Sequence, residues 1–471
     1  MKTLIKNGIV ITAEITRKAD VLVEGEIIRR VEENIQDPDA ELIDASGMLV
    51  LPGGVDPHVH LELPMMGTIS ADDHYTGGKA AAFGGTTTMI DFVSQEPVSL
   101  AENIARHRAM ADPKTSIDYS VHMNITHFDE QVEEELPDLP RMGVTSLKVF
   151  TAYNGRLRLD DGSIFKVMRI GGKHNLLTMV HAENGDVIDI LVAEALAAGK
   201  TAPVFHALTR PAWGEVEASL RAAALAAQAD APVYLVHMNV AGEVDQLEYA
   251  RSRGIHAMGE TCPQYLFFTE DDLRKPDGAK WICSPPMRKA VDHESLWRGL
   301  QDGTIQTLAT DHCPFFFDGR TPISFEGREV AIPGKELGGT DFTLIPNGLP
   351  GIADRLPVFW THAVNSGRIS PNRFVELTAA NPARIFGLYP KKGTIAVGSD
   401  ADIALWDPQK ELDYGLAWAH HRTDYNLYEG WKLRGYPVRV FLRGKMIVDG
   451  ETWLGKAGEG RFIHRQAGEI I

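Results

Sequence analysis

The chain has 471 residues, of which 44% are hydrophobic, 24% charged and 8% aromatic, a composition that supports a sizeable core and excludes intrinsic disorder. Lys and Arg total 47 against 64 Asp and Glu, so the formal charge is −17; such a surface repels polyanions and excludes nucleic acid or an anionic membrane as the main partner. The three cysteines, Cys262, Cys283 and Cys313, form no CxxC pair, Lys6 interrupts the first apolar run, and Leu220 to Met238 is too polar for a membrane helix. A cytoplasmic protein acting on a small molecule is expected.

In chain order, residues 3–50 alternate short β-rich runs with turn signals: Leu4 to Ile11, Val21 to Ile28 and Met48 to Val50. The same texture returns after residue 390 in Gly393 to Gly398, Ile403 to Trp406 and Val438 to Val448. Residues 1–54 and 390–471 are therefore expected to build one small β-sandwich from both termini, carrying a C-terminal tail. Between 55 and 389 short apolar runs alternate with helical stretches, the signature of βα units around a parallel sheet. Strand cores are expected at Val55–His60, Thr86–Phe92, Tyr119–Asn124, Leu147–Phe150, Leu177–Val180, Val233–Val236, His256–Gly259 and Thr307–Ala309. Ser99 with Glu102 reads as a capping box, and Ala218 to Ala229 as a helix of high propensity. The expected architecture is an α/β fold: a (β/α)8 barrel with the sandwich beside it.

Active-site residues of such barrels come from the C-terminal ends of strands. At those ends stand His58, His60, Lys148, His181, His237 and Asp311. His58 and His60 are two apart on a strand, so their imidazoles share a face and suit a shared metal. Singly, each histidine reads as a capping or hydrogen-bonding residue; together, six ligand-type residues at the ends of five strands converge because the fold is radial. Lys148 as an ammonium would be repelled by cations. Reacted with carbon dioxide, its amine becomes a carbamate whose two oxygens can bridge two metal ions, and a cationic site favours that product.

The motifs Pro52-Gly53-Gly54-Val55-Asp56-Pro57-His58-Val59-His60, Thr145 to Phe150, His181-Ala182-Glu183-Asn184-Gly185, Glu260 to Tyr265, Ser284-Pro285-Pro286 and Ile345-Pro346-Asn347-Gly348 resemble those of the hydantoinase and dihydropyrimidinase family of cyclic amidohydrolases, with bacterial D-hydantoinases the nearest in kind. The resemblance runs over nearly the whole chain. It implies two divalent ions, zinc by preference though manganese and cobalt suit the ligands too, held by His58, His60 and Asp311 on one side and by His181 and His237 on the other, with N6-carboxylated Lys148 bridging. It further implies that Asp311 shuttles the proton between attacking water and departing ring nitrogen, that Tyr153 bonds the oxyanion, and that the backbones of Ser284 and Asn347 hold the ring. Met65, Phe150 and Leu157 match residues that line the exocyclic-substituent pocket. From the residues alone Tyr153, Ser284 and Asn347 are ordinary loop and turn positions, and the other three ordinary rim packing.

The reaction so implied is hydrolysis of a hydantoin or dihydropyrimidine to an N-carbamoyl amino acid, with allantoinase the alternative. Dihydroorotase typically has an arginine two residues after the second histidine; Glu62 stands there, and a carboxylate would repel an anionic ring. Collapsin response mediator proteins resemble dihydropyrimidinases but lack metal ligands, a non-catalytic alternative that the six occupied positions oppose. Asp311 and Asn347 are 36 positions apart, about fifteen more than the resemblance implies, leaving a segment that is a lid, a subunit contact or a surface insertion. A homotetramer is implied by resemblance, and the aromatic stretch Tyr425 to Trp431 with Trp453, Phe462 and Ile463 either meets a partner subunit or packs on its own barrel.

Overall fold

The computed structural model describes residues 2–471. Eight parallel strands form its centre in chain order: β1 (Gly54–Val59), β2 (Thr86–Val93), β3 (Asp118–Asn124), β4 (Ser146–Phe150), β5 (Leu177–His181), β6 (Val233–Leu235), β7 (Ala257–Thr261) and β8 (Thr307–Leu308). Nearly every residue of these strands is buried, because helices cover the outer face and side chains fill the inner one. Their bounds differ from the sequence expectation by one to three residues. The largest difference is β7, which runs on to Thr261 and so contains Glu260.

Closure of the barrel relies on backbone contacts beyond β8 and on side chains, since β8 has only two residues. Val59 bridges to His312, and the His60 amide donates to the His312 carbonyl at 2.7 Å. Arg355 is fully buried at this seam and donates from Nη1 to Val55 O at 2.9 Å and Leu308 O at 3.0 Å, stitching β1 to β8. The Thr310 hydroxyl donates to Asp56 Oδ2 at 2.7 Å, which continues the stitch toward Asp311.

The covering helices follow the sequence signals with two revisions. The Ala-rich helix begins earlier, spanning Ala212–Ala229, and buries Val216, Ser219, Ala222, Ala223 and Ala226 along one face. The capping box at Ser99 is only half formed: Ser99 Oγ accepts the Glu102 amide at 3.1 Å, but the Glu102 carboxylate accepts from Arg106 Nε at 2.8 Å instead of reaching back.

Both termini contribute to two further sheets. One orders Ile27–Glu32, Asp20–Glu24, Lys2–Lys6 and Glu41–Asp44; the other orders Thr452–Trp453, Lys445–Asp449, Trp431–Leu442, Ile403–Tyr414, Leu49–Pro52, Ile9–Ile11 and Thr16–Lys18. Ile5, Val10, Val21, Val50, Ile403, Leu405 and Phe441 share one apolar core between them. The expected strand at Gly393 to Gly398 is absent among the described residues: Gly393 and Gly398 adopt φ of 82° and 95°, so the segment turns, and only Ile395 enters the sandwich core.

The C-terminal tail packs on its own barrel. The Ile463 amide donates to Tyr119 O at 2.7 Å, Arg465 Nε donates to Ser120 Oγ at 3.0 Å, and the Phe462 ring lies 5.5 Å from that of Tyr119. Tyr425, Leu427 and Tyr428 are buried as well, Tyr428 against Phe268 and Trp431. These aromatics pack within the chain, with Trp431, Trp453 and Phe462 left half-buried. No helix among the described residues is long and apolar enough to cross a membrane.

Candidate active site

The six candidate ligands gather at one mouth of the barrel. His58 lies on β1 and His60 follows it, their rings 5.2 Å apart and each 4.7 Å from Phe92 on β2. Asp311, beyond β8, places Oδ1 3.1 Å from His58 Nε2 and 3.2 Å from His60 Nε2. His181 ends β5 and His237 follows β6; His181 Nδ1 faces His237 Nε2 at 3.0 Å. The His58 and His237 rings, 5.5 Å apart, join the two groups. Lys148 on β4 is 2% exposed, with Nζ 5.1 and 5.5 Å from the Phe92 and Phe150 ring centres.

Three candidate residues hold left-handed backbone conformations: Asp311 (φ 53°), His237 (φ 42°) and Tyr153 (φ 69°). For a residue with a Cβ this costs roughly 1–2 kcal/mol, and such conformations concentrate where a side chain must be aimed.

A carboxylate stands behind each histidine group. Glu260 accepts from His58 Nδ1 and, on its other oxygen, from the Tyr234 hydroxyl at 2.9 Å, which leaves His58 Nε2 turned toward Asp311. Glu183 Oε2 lies 2.7 Å from His181 Nε2 and so leaves Nδ1 for the His237 side. Burial pushes His237 well below the usual histidine range and lowers His181 and His60, so these rings are neutral with a lone pair to offer. Burial works against ionisation of Asp311, yet His58 and His60 hold its carboxyl well below the usual range. Burial lowers Lys148 to about 8, against the pull of Asp311 and Glu260, which makes the neutral amine accessible.

The donor set fits divalent cations. Four ligands at ~2.0–2.1 Å from a tetrahedral ion lie about 3.3 Å from one another, close to the 3.0–3.2 Å spacings in both groups.

Tyr153 is half-buried with its ring 5.0 Å from His181; burial and then Glu183 push its hydroxyl up, so it stays a donor. Asn347 Nδ2 donates to Ser284 Oγ at 3.1 Å, bringing those two loops together. Phe150 is half-buried beside both Tyr153 (6.1 Å) and His181 (5.7 Å). Leu157 is 37% exposed, on the loop that follows Tyr153. Met65 is half-buried on a two-stranded ribbon, Pro64–Met65 with Thr68–Ile69, directly after His60. The segment beyond Asp311 forms a hairpin, Ile323–Phe325 with Arg328–Val330, tied to that ribbon by the Thr68 hydroxyl donating to Pro333 O and to the helix His74–Phe83 by the Lys79–Glu326 ion pair.

Two readings from sequence need revision. Glu62 is not a free carboxylate over the site: His74 Nδ1 at 2.9 Å and Lys114 engage it and, against the opposing effect of burial, lower it to about 2. Its charge is balanced there, so repulsion of an anionic ring is not its effect. The sequence reading also gave no role to Glu260, Glu183 or Lys335. The first two lie in motifs that were already legible. Lys335 is 1% exposed and donates from Nζ to Ile282 O at 2.9 Å and Pro346 O at 3.0 Å, clamping the chain beside both Ser284 and Asn347; no local pattern reveals a lysine turned inward.

Residues 49–447 match the model of the Amidohydrolase family. The chain belongs to that family. It is 44% identical over 469 residues to a D-hydantoinase of Rhizobium radiobacter, with 99% of each chain covered. Among solved structures it matches dihydropyrimidinase from Brevibacillus agri NCHU1002 with a TM-score of 0.95 at 44% identity, covering all of both chains. L-hydantoinase from Arthrobacter aurescens matches less closely, with a TM-score of 0.87 at 28% identity over 98% of this chain and 99% of that one. The metal-dependent chemistry general to amidohydrolases accords with the donor set at the barrel mouth.

Proposed function

We propose that this chain hydrolyses the ring amide of hydantoins and dihydropyrimidines to N-carbamoyl amino acids at a centre of two divalent cations. The observation that carries the reading is the meeting, at one barrel mouth, of His58, His60 and Asp311 with His181 and His237, beside a fully buried lysine. End-to-end similarity to a D-hydantoinase and a dihydropyrimidinase supplies the substrate class.

In this reading His58, His60 and Asp311 would hold one cation and His181 and His237 the other, with Lys148, carboxylated at Nζ, as a further anionic ligand; zinc would suit the mixed imidazole and carboxylate set. When bound, the cations supply hydroxide at neutral pH and polarise the substrate carbonyl. Asp311, kept ionised by its histidines, accepts the nucleophile's proton and returns it to the ring nitrogen as the C–N bond breaks. The Tyr153 hydroxyl donates to the oxygen on which negative charge develops. Backbone groups of Ser284 and Asn347 orient the ring amide, and Met65, Phe150 and Leu157 line the space for its substituent.

The test couples metal analysis of the purified protein to turnover of dihydrouracil, hydantoin, 5-substituted hydantoins and allantoin. Lys148→Ala is expected to lose both metal and activity, with partial recovery on adding short carboxylic acids that replace the carbamate. Full activity and two metals per subunit in Lys148→Ala would falsify the centre, and turnover of allantoin above all other rings would reassign the substrate.

A further inference from the structure

A second group of ligand-type side chains lies on the outer face of β2. Asp91 belongs to β2, His74 opens the helix His74–Phe83, and His107 belongs to the helix Leu100–Ala111 that packs beside it. Asp91 Oδ2 lies 3.2 Å from His74 Nε2 and 3.3 Å from His107 Nε2, the spacing seen at His58, His60 and Asp311 and the one that donors around a tetrahedral ion require. None of the three belongs to the centre proposed above. Alternation along β2 sends Asp91 outward where its neighbour Phe92 faces the mouth.

Two further observations point to a cation. His74 Nε2, His107 Nε2 and Asp91 Oδ2 are each without a hydrogen-bond partner among the described residues, although the side chains are 0%, 8% and 1% exposed. Three buried polar atoms that converge without a well-directed hydrogen bond are costly unless positive charge, either a proton on an imidazole or a metal cation, sits between them. The other polar atoms of His74 and Asp91 have defined partners that leave these free. His74 Nδ1 is 2.9 Å from Glu62 Oε2, the carboxylate-to-imidazole contact that orients a metal-binding histidine. Asp91 Oδ1 accepts the Phe92 amide at 2.7 Å and the Leu61 amide at 3.4 Å.

We propose that His74, Asp91 and His107 bind a further divalent cation of the zinc class, oriented through Glu62, which fastens the two helices to β2. Two imidazoles and one carboxylate leave a coordination position for water and suit zinc, cobalt or nickel over magnesium or calcium. Because Leu61 and Glu62 both lean on this group, the ion would also fix the segment that leaves His60 and leads to Met65. The site is structural; no substrate or proton step passes through it.

Zinc-edge anomalous diffraction from crystals of the wild-type protein grown with zinc decides the matter, the barrel-mouth centre serving as internal reference. A peak within bonding distance of His74 Nε2, His107 Nε2 and Asp91 Oδ2 is the expected result, and no peak there overturns the proposal. In solution, His107→Gln, folded by circular dichroism, is expected to carry one metal equivalent fewer than wild type after zinc loading and dialysis; equal contents overturn it as well.

Discussion

Lys335 offers a prediction whose sign and size can both be worked out. Its ammonium is enclosed at the junction of the Ile282 and Pro346 loops, and burial lowers it to about 7 from 10.5, against weaker opposing pulls from Cys283 and Cys313. Between those two values the unfolded chain holds a proton that the folded chain has released, so stability rises with pH across that window and is flat on either side. The limiting slope is about 1.4 kcal/mol per pH unit, so across that window the ceiling is about 5 kcal/mol. Lys335→Met keeps the stem and removes the titration. The difference in urea-unfolding free energy between wild type and variant is therefore expected to move in favour of wild type from pH 7.5 to 9.5, while other titrating groups cancel in the subtraction. Loss of the two carbonyl contacts should also loosen the loops of Ser284 and Asn347, so KM for the ring should rise more than kcat falls. A difference curve that stays level from pH 7 to 10 would refute the argument.

Asp311→Asn, nearly isosteric, is expected to keep the fold but lose at least 100-fold in kcat, of the order seen for general acid–base groups; wild-type kcat with metal bound would move the proton shuttle elsewhere. Phe150→Ala and Leu157→Ala are each expected to shift kcat/KM toward bulky 5-substituted hydantoins over dihydrouracil by roughly 1–3 kcal/mol per methylene-sized change, and an unchanged ratio in both folded variants would remove them from the pocket. Truncation after Gly450 is expected to lower the unfolding temperature and solubility, because Ile463 is buried against β3, an apolar burial that contributes on the order of 2 kcal/mol, and Arg465 bonds Ser120 there; an unshifted melting curve would contradict that packing. Light scattering on the same pair reports assembly separately, with a tetramer expected for the intact chain.

The barrel was legible because its strands are buried on both faces and therefore read as short apolar runs between helical stretches. What failed was local punctuation. Gly393 to Gly398 has the composition of a strand, but two left-handed glycines turn it, and nothing in six residues distinguishes a strand that pairs from a loop that drops one isoleucine into a core. Glu102 has the right spacing to complete a capping box, yet Arg106 one turn on competes for its carboxylate. The tail aromatics were ambiguous for a related reason: exposure belongs to the folded surface, and Phe462 finds Tyr119 across a separation in sequence of more than three hundred residues.

The site shows the same division more sharply. Strand ends project radially into one mouth, so assigning each of the six candidates to a strand end was enough to foresee that they would meet. What could not be foreseen is the layer that aims them. Glu260 reaches His58 across 202 positions of sequence, and the left-handed turns at His237 and Asp311 are properties of backbone that side-chain identity does not encode. Glu62 makes the point from the other direction. Read by position it was a charge facing substrate; in the fold it lies between His74 and Lys114, one layer behind. A residue's type limits the chemistry it can perform, but its partner decides which part of that chemistry is used, and partners are set by tertiary contact. That is also why His74, Asp91 and His107, scattered over thirty-odd residues and two helices, carry no motif and become a candidate metal site only when their unpartnered atoms are seen to converge.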